Sequence, residues 1–244
     1  QKDQGFSTHP WEPMMGDQPT PGAPRIAMLC GSAGGDLRAL LSAREAGLVG
    51  FSIVSCFATS TTSTALAVLG QAGADPAHGE SLRFKSNREE AFGTVARDWE
   101  TTHPELVFLC GFPFLLPAEL VSGFSGRIIN SHPSILPAHP GLFRKEELAA
   151  SHDKFLGATV HRVDEGMDTG PILAQAAFPN YGLQAFDRVL RTYRFIQDVL
   201  MVQVFRDLVS SASTLPARVC GSILFSPGVD EDILHHFLAR HELS

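Results

Sequence analysis

From Arg25 onward the chain alternates short apolar runs with segments whose apolar positions recur every three or four residues. "RIAMLC" is a buried-strand pattern that ends in "GSAGGD", and "LRALLSAREAG" continues with helical spacing. "FSIVSCFA" is a second strand pattern, followed by a helix over "TSTALAVLGQAG" closed by Gly73. "NREEAFGTVARDWET" predicts a third helix, while "ELVFLCG" and "GRIIN" predict the third and fourth strands. Short β-rich runs that alternate with amphipathic helices indicate an α/β fold: an open, mostly parallel twisted sheet with helices on both faces. "GATVHRVD" and "ILAQAAF" predict two further strands, antiparallel and flanking, before the long helix "FDRVLRTYRFIQDVLMVQVFRDLVSS". The tail from Thr214 holds one strand pattern, "RVCGSILFS".

Residues 1–24 are rich in Pro, Gly, Gln and Asp and carry no periodicity. They predict an N-terminal arm, with Phe6, Trp11 and Met14 as its docking residues, ahead of a core over 25–213 and an extension over 214–244. A chain that opens on Gln is compatible with trimming from a longer product. The 244 residues suffice for a core without staples. A net charge of −7 argues against a nucleic-acid or anionic-membrane partner, which needs a basic surface. No apolar stretch approaches the ~20 residues of a membrane span. Cys30, Cys56, Cys110 and Cys220 lie far apart, a pattern of free thiols in a reducing compartment, so a cytoplasmic location is expected.

In an open α/β sheet, ligands bind beyond the carboxyl ends of the strands. Three stretches fall there: "GSAGGD", "GFPFLLP" and "NSHPS". Asn130 and His132 alternate along a strand end, so their side chains share one side. Asn is a neutral donor suited to an oxyanion, and His moves protons near neutral pH. Pro133 and Pro137 stiffen the loop that follows. The bland alternative is a strand end whose Asn and His satisfy backbone groups. "VHRVDEGMDTGPI" holds Asp164, Glu165 and Asp168, either a solvated turn or the source of a carboxylate that orients His132. His161 is a second orienting group or a plain strand histidine. No His/Cys/Asp cluster has metal-ligand spacing. "GSAGGD" resembles an anion-binding turn before a helix, but Asp36, a good N-cap, would repel a phosphate there.

Together these pieces resemble the glycinamide ribonucleotide formyltransferase family, over about Arg25 to Val209. "NSHPSILPAHPG" is similar to that family's N-x-H-P-S-L-L-P-x-x-x-G signature, and "GATVHRVDEGMDTGPIL" to its second motif. "LVFLCGFPFLLP" is similar to the apolar segment where such enzymes hold the folate. The resemblance implies a Rossmann-like formyltransferase fold and transfer of a formyl group from 10-formyltetrahydrofolate to an amine of a small molecule. It implies Asn130, His132 and Asp168 as the catalytic trio. Folate contacts fall to Phe112, Phe114, Leu115, Leu116, Val163 and Asp164, largely through backbone groups. The acceptor side falls to Gly34, Gly35, Asp36, His161 and Tyr193, and a homodimer is compatible with the family.

The departures from the family lie on the acceptor side. Its members commonly read Gly-Ser-Asn where this chain has Gly34-Gly35-Asp36. The acid that faces substrate from the long helix is matched here by Tyr193 or Arg194. Phe114 stands where Arg is common, and the run to Pro117 is one residue shorter. A carboxylate beside a phosphate dianion costs about 1 kcal/mol or more. The expected acceptor is therefore an amine other than glycinamide ribonucleotide. The competing readings are an ordinary glycinamide ribonucleotide enzyme, a formylfolate hydrolase and a non-catalytic folate-binding protein of the same fold. A methionyl-tRNA formyltransferase fits less well, since the acidic balance and short C-terminus leave no basic tRNA-binding domain.

Overall fold

A computed structural model describes residues 22–31, 34–60, 62–71, 79–82, 84–142, 145–210 and 215–241. The chain runs β1 (Arg25–Cys30), α1 (Gly35–Glu45), β2 (Ser52–Ala58), α2 (Thr64–Gln71), β3 (Gly79–Ser81), α3 (Arg88–Thr102), β4 (Leu106–Cys110), α4 (Ala118–Gly123) and β5 (Ile128–His132). It continues through α5 (Lys145–Ala150), β6 (Phe155–Arg162), β7 (Ile172–Pro179), α6 (Phe186–Ser210), β8 (Arg218–Cys220), β9 (Ile223–Ser226) and α7 (Glu231–His241). The strands form one sheet in the order β3-β2-β1-β4-β5-β6-β7-β9-β8. The first five are parallel, and β6 onward are antiparallel.

The period of two along each strand divides the core. Ile26, Met28 and Cys30 face one layer with Phe108 and Ile129, which also takes the buried side chains of α1, α6 and α7. Ala27, Leu29, Val107, Leu109 and Ile128 face the other, where α3 brings Phe92, Val95 and Trp99. A parallel strand buried on both faces must be apolar at every position, which is why these runs carry no alternation in the sequence. The chain reverses its direction of winding between β1 and β4, and the crevice at their carboxyl ends is the expected ligand position. Gly31 and Gly111 meet there. A Cβ on Gly31 would lie 2.1 Å from the Gly111 carbonyl oxygen, so no larger residue fits.

Three expectations change. The tail does not form one strand: Gly221, at φ 57°, turns it into the hairpin β8–β9, which extends the antiparallel edge. Beyond it α7 buries Ile233, Leu234 and Phe237 against α6, an amphipathic helix not drawn from the sequence. Asp36 is not the N-cap of α1: Gly34 is, at φ 59°, and Asp36 lies within the first turn. The docking of Phe6, Trp11 and Met14 and the role of Gly73 lie outside the described residues. Among those residues no helix is long and apolar enough to cross a membrane.

Candidate active site

The tip of β5 separates two cavities because successive side chains point to opposite faces of the sheet. Asn130 and His132 follow the direction of Ile128, toward the α3 layer, whereas Ser131 follows Ile129, toward α6. The first cavity, of about 260 Å³, holds Asn130 and His132 together with Asp168. Phe112, Phe114, Leu115, Leu116, Val163 and Asp164 line it as well. The second, of about 700 Å³, lies over α1, α6 and α7 and includes Gly34, Gly35 and Asp36. Gly111, Ser131 and Pro133 border both, so the two cavities adjoin at the ends of β4 and β5.

Asp168 comes from the loop between β6 and β7, and its own backbone is left-handed at φ 56°. An Asp tolerates this conformation better than most residues. Here it turns the carboxylate back over β5. Oδ2 lies 3.3 Å from His132 Nδ1 and accepts the Gly141 N–H at 2.8 Å. Oδ1 accepts from Asn130 Nδ2 at 3.4 Å and faces His161 Nε2 at 3.5 Å. The carboxyl is held below the ordinary carboxylate range, first by His161, then by the Gly141 N–H and the neighbouring His132, against the opposing effect of burial.

His132 is enclosed, 5% exposed. Its Nε2–H donates to the His139 carbonyl at 2.8 Å, so both ring nitrogens face acceptors. That geometry suits an imidazolium, yet burial outweighs the carbonyl and the carboxylate and pushes the His132 pKa down. The ring is therefore neutral near pH 7 and close to the acceptors that would hold a proton gained during reaction.

A consequence appears in folding stability. A histidine whose folded pKa lies below its unfolded value of about 6.5 is protonated first in the unfolded chain. Stability falls as pH drops below that value, until the folded ring titrates too. Thermal unfolding should therefore show a lower midpoint at pH 5.5 than at pH 7.5. His132→Gln should reduce this dependence without abolishing it, because burial and Arg240 lower His236 as well. A dependence unaltered in the variant would contradict the assignment.

The structure does not place every expected residue where the sequence put it. Asn130, His132 and Asp168 are brought together, and the six residues expected on the donor side share the first cavity. Within that group, Asp164 Oδ1 is engaged inside its own loop, accepting from Thr169 Oγ1 at 2.7 Å and the Gly166 N–H at 3.1 Å. His161 is not on the Gly34–Asp36 side. It is buried beside the trio, with Nδ1 donating to the Arg162 carbonyl and Nε2 3.2 Å from Asn130 Nδ2. Tyr193 points away from the second cavity altogether: it is fully buried, edge-on to Phe178, and burial drives its phenol well above the ordinary range. One residue on, Arg194 faces the second cavity, with Gln197 and Asp198 a turn further along α6. Gln197 Nε2 donates to Ser131 Oγ at 3.3 Å, which ties α6 to the tip of β5. The sequence reading also missed Arg38, Phe237, Arg240 and His241 of this cavity. Only the helical spacing of "EDILHHFLARH" signals the last three.

Residues 24–204 match the family described as formyl transferase. The chain belongs to the formyl transferase family. It is similar to the phosphoribosylglycinamide formyltransferase of Escherichia coli strain K12, 27% identical over 164 residues, 67% of this chain and 77% of that protein. It is 35% identical over 159 residues to the trifunctional purine biosynthetic protein adenosine-3 of Drosophila melanogaster, covering 64% of this chain and 12% of that protein. The formyl transferase chain thus spans only a small part of that trifunctional relative. A crystal structure of phosphoribosylglycinamide formyltransferase from Bacillus halodurans superposes with a TM-score of 0.71 at 26% identity, over 78% of this chain and 97% of the other. The matched residues end before α7 begins.

Proposed function

We propose that this formyl transferase moves a formyl group from 10-formyltetrahydrofolate to an amine of a small molecule other than glycinamide ribonucleotide. The observation that carries the transfer is the convergence of Asn130, His132 and Asp168 in the first cavity, with Ser131 and Pro133 beside them on the border with the second. The first cavity suits the donor: Phe112 and Phe114, packed against each other and Phe84, form an apolar wall for a flat heterocycle. The carbonyls and N–H groups of the 163–168 loop supply polar partners along its other side. The acceptor amine enters from the second cavity.

The amine nitrogen attacks the formyl carbon, and the carbonyl π pair moves onto oxygen. The Asn130 amide donates to that oxygen, the neutral His132 takes the proton lost by the attacking amine, and the imidazolium so formed places its charge beside the oxyanion in a water-poor site. The C–N bond to the folate then breaks. The proton lost by the attacking amine reaches the folate nitrogen through His132, while Asp168 orients the ring and stabilises its charged form. The products are a formamide and tetrahydrofolate.

The exclusion of glycinamide ribonucleotide rests on Asp36. Its position in the first turn of α1, on the wall of the second cavity beside Gly34, is where a phosphate would otherwise meet backbone N–H groups. The competing reading, an ordinary glycinamide ribonucleotide enzyme, is supported by the names of several relatives. Steady-state assay of the purified chain with 10-formyltetrahydrofolate and glycinamide ribonucleotide separates the two. The expected result is turnover below that with a preferred amine by a factor of about 10 or more, the equivalent of 1.4 kcal/mol. Efficient turnover refutes the exclusion. Formate release without any amine would instead indicate hydrolysis.

A further inference from the structure

We propose that α7 completes the acceptor cavity as an anion clamp, in which Arg194 and Arg240, with Arg38 across from them, hold a carboxylate or phosphate carried by the amine substrate. The inference rests on the formyl-transfer reading above and specifies its acceptor.

Three helices each bring one arginine to the rim of the second cavity: Arg38 on α1, Arg194 on α6 and Arg240 on α7. All three are exposed, in a chain whose net charge is −7. The charge of Arg240 acts on the carboxyls of Glu45 and Asp198, and Arg194 faces the cavity one turn before Asp198 on α6. Exposed guanidinium groups at a cavity rim are suited to planar, two-point recognition of a carboxylate or phosphate.

The acidic side chains of the cavity do not cancel this field. Asp198 lies in its wall and is engaged by His241, whose Nε2 is 2.8 Å from Asp198 Oδ2. His241 in turn packs edge-on to Phe195, so the end of α7 is anchored to α6 by a polar and an apolar contact. This holds Arg240, the preceding residue, at the cavity. Asp36 stands with Gly34 and Gly35 on the α1 side. An anionic group is therefore disfavoured at the glycine turn and favoured between α6 and α7. The amine of the same molecule would then point toward Ser131, the residue that both cavities share. Arg38 and Arg194 lie within the matched family residues, and Arg240 lies beyond them on α7.

Anion binding by the full chain tests the clamp, with inorganic phosphate and malonate as probes in calorimetric titrations. At least one probe should bind saturably. The double variant Arg194→Gln/Arg240→Gln should weaken that binding about tenfold or more while still binding a folate analogue, which establishes that it is folded. The stronger probe identifies the class of anion, phosphate or carboxylate. Absence of saturable binding by either probe overturns the clamp, as does undiminished binding by the double variant. A second arm assays formyl transfer to primary amines paired by the presence or absence of a carboxylate or phosphate. Equal kcat/KM for charged and neutral partners also overturns it. Failure of transfer to every amine, with anion binding intact, removes the formyl-transfer reading and leaves the anion site standing.

Discussion

Replacing His132 by alanine should lower formyl transfer by about 10²–10³-fold or more, the loss associated with removing a preorganised group from a developing oxyanion. The loss should be in kcat, because His132 acts on charge that appears only as the tetrahedral centre forms. Binding of a folate analogue should change little. The apolar wall of Phe112 and Phe114 is held by Phe84 and Phe92, not by His132. The loop after β5 should also persist without the imidazole. The His139 carbonyl that accepts from His132 also accepts from Ser134 Oγ at 3.2 Å, and Ser134 Oγ reaches the Ala138 carbonyl at 2.6 Å. Titration of a folate analogue, paired with single-turnover transfer, separates the two effects. An unchanged transfer rate would exclude His132 from the chemistry.

Gly170→Ala should be the most damaging small substitution near the site. A Cβ at this position would lie 1.9 Å from the Arg162 carbonyl oxygen and 3.2 Å from the Asp164 nitrogen, both backbone atoms that no side-chain rotation relieves. Arg162 is pinned on either side, its N–H donating to the Pro171 carbonyl while the next residue's N–H donates to Ile128. The added methyl must therefore push apart the two ends of the loop that carries Asp168. Overpacking of this kind typically costs about 1–3 kcal/mol, and a backbone clash belongs at or above the upper end. Both thermal stability and activity should fall, because displacing the loop moves Asp168 from His132 and Gly141. Urea unfolding combined with kcat measurement checks this. Wild-type values for both would show that the loop can open without consequence.

The legibility of this fold follows from which interactions are local. The inner runs of β1, β2, β4 and β5, namely Ile26–Cys30, Cys56–Ala58, Val107–Cys110 and Ile128–Ile129, are apolar at every position because both of their faces are covered, and this marks them in the sequence without any partner being known. α3 is equally legible, since Asn87 caps its start, with Oδ1 accepting from the Glu90 N–H at 3.4 Å, and its apolar residues keep helical spacing. The tail was misread because "RVCGSILFS" has no proline or polar cluster to mark its turn, which one glycine with positive φ accomplishes. Tyr193 illustrates a different limit. Neighbouring positions on a helix are about 100° apart, so Tyr193 and Arg194 are adjacent in sequence but face the core and the cavity respectively. Which of the two meets a ligand depends on the rotation of α6 against the sheet, a property of packing.

Asn-x-His at a strand end, the prolines after it and the Asp-x-Gly-Pro loop are local patterns, and the sequence by itself determined them together with the apolar run that lines the first cavity and the α/β class. The tertiary structure decided what brings separate segments together: Asp168 over His132 across a gap of 36 residues in the chain, His161 beside them, and α7 against α6. It also decided that β5 should send Asn130 and His132 into the first cavity alone and leave Ser131 on the border with the second. The reason is physical. Strand periodicity assigns a residue to one of two faces, but only the layers packed on those faces determine what each face meets.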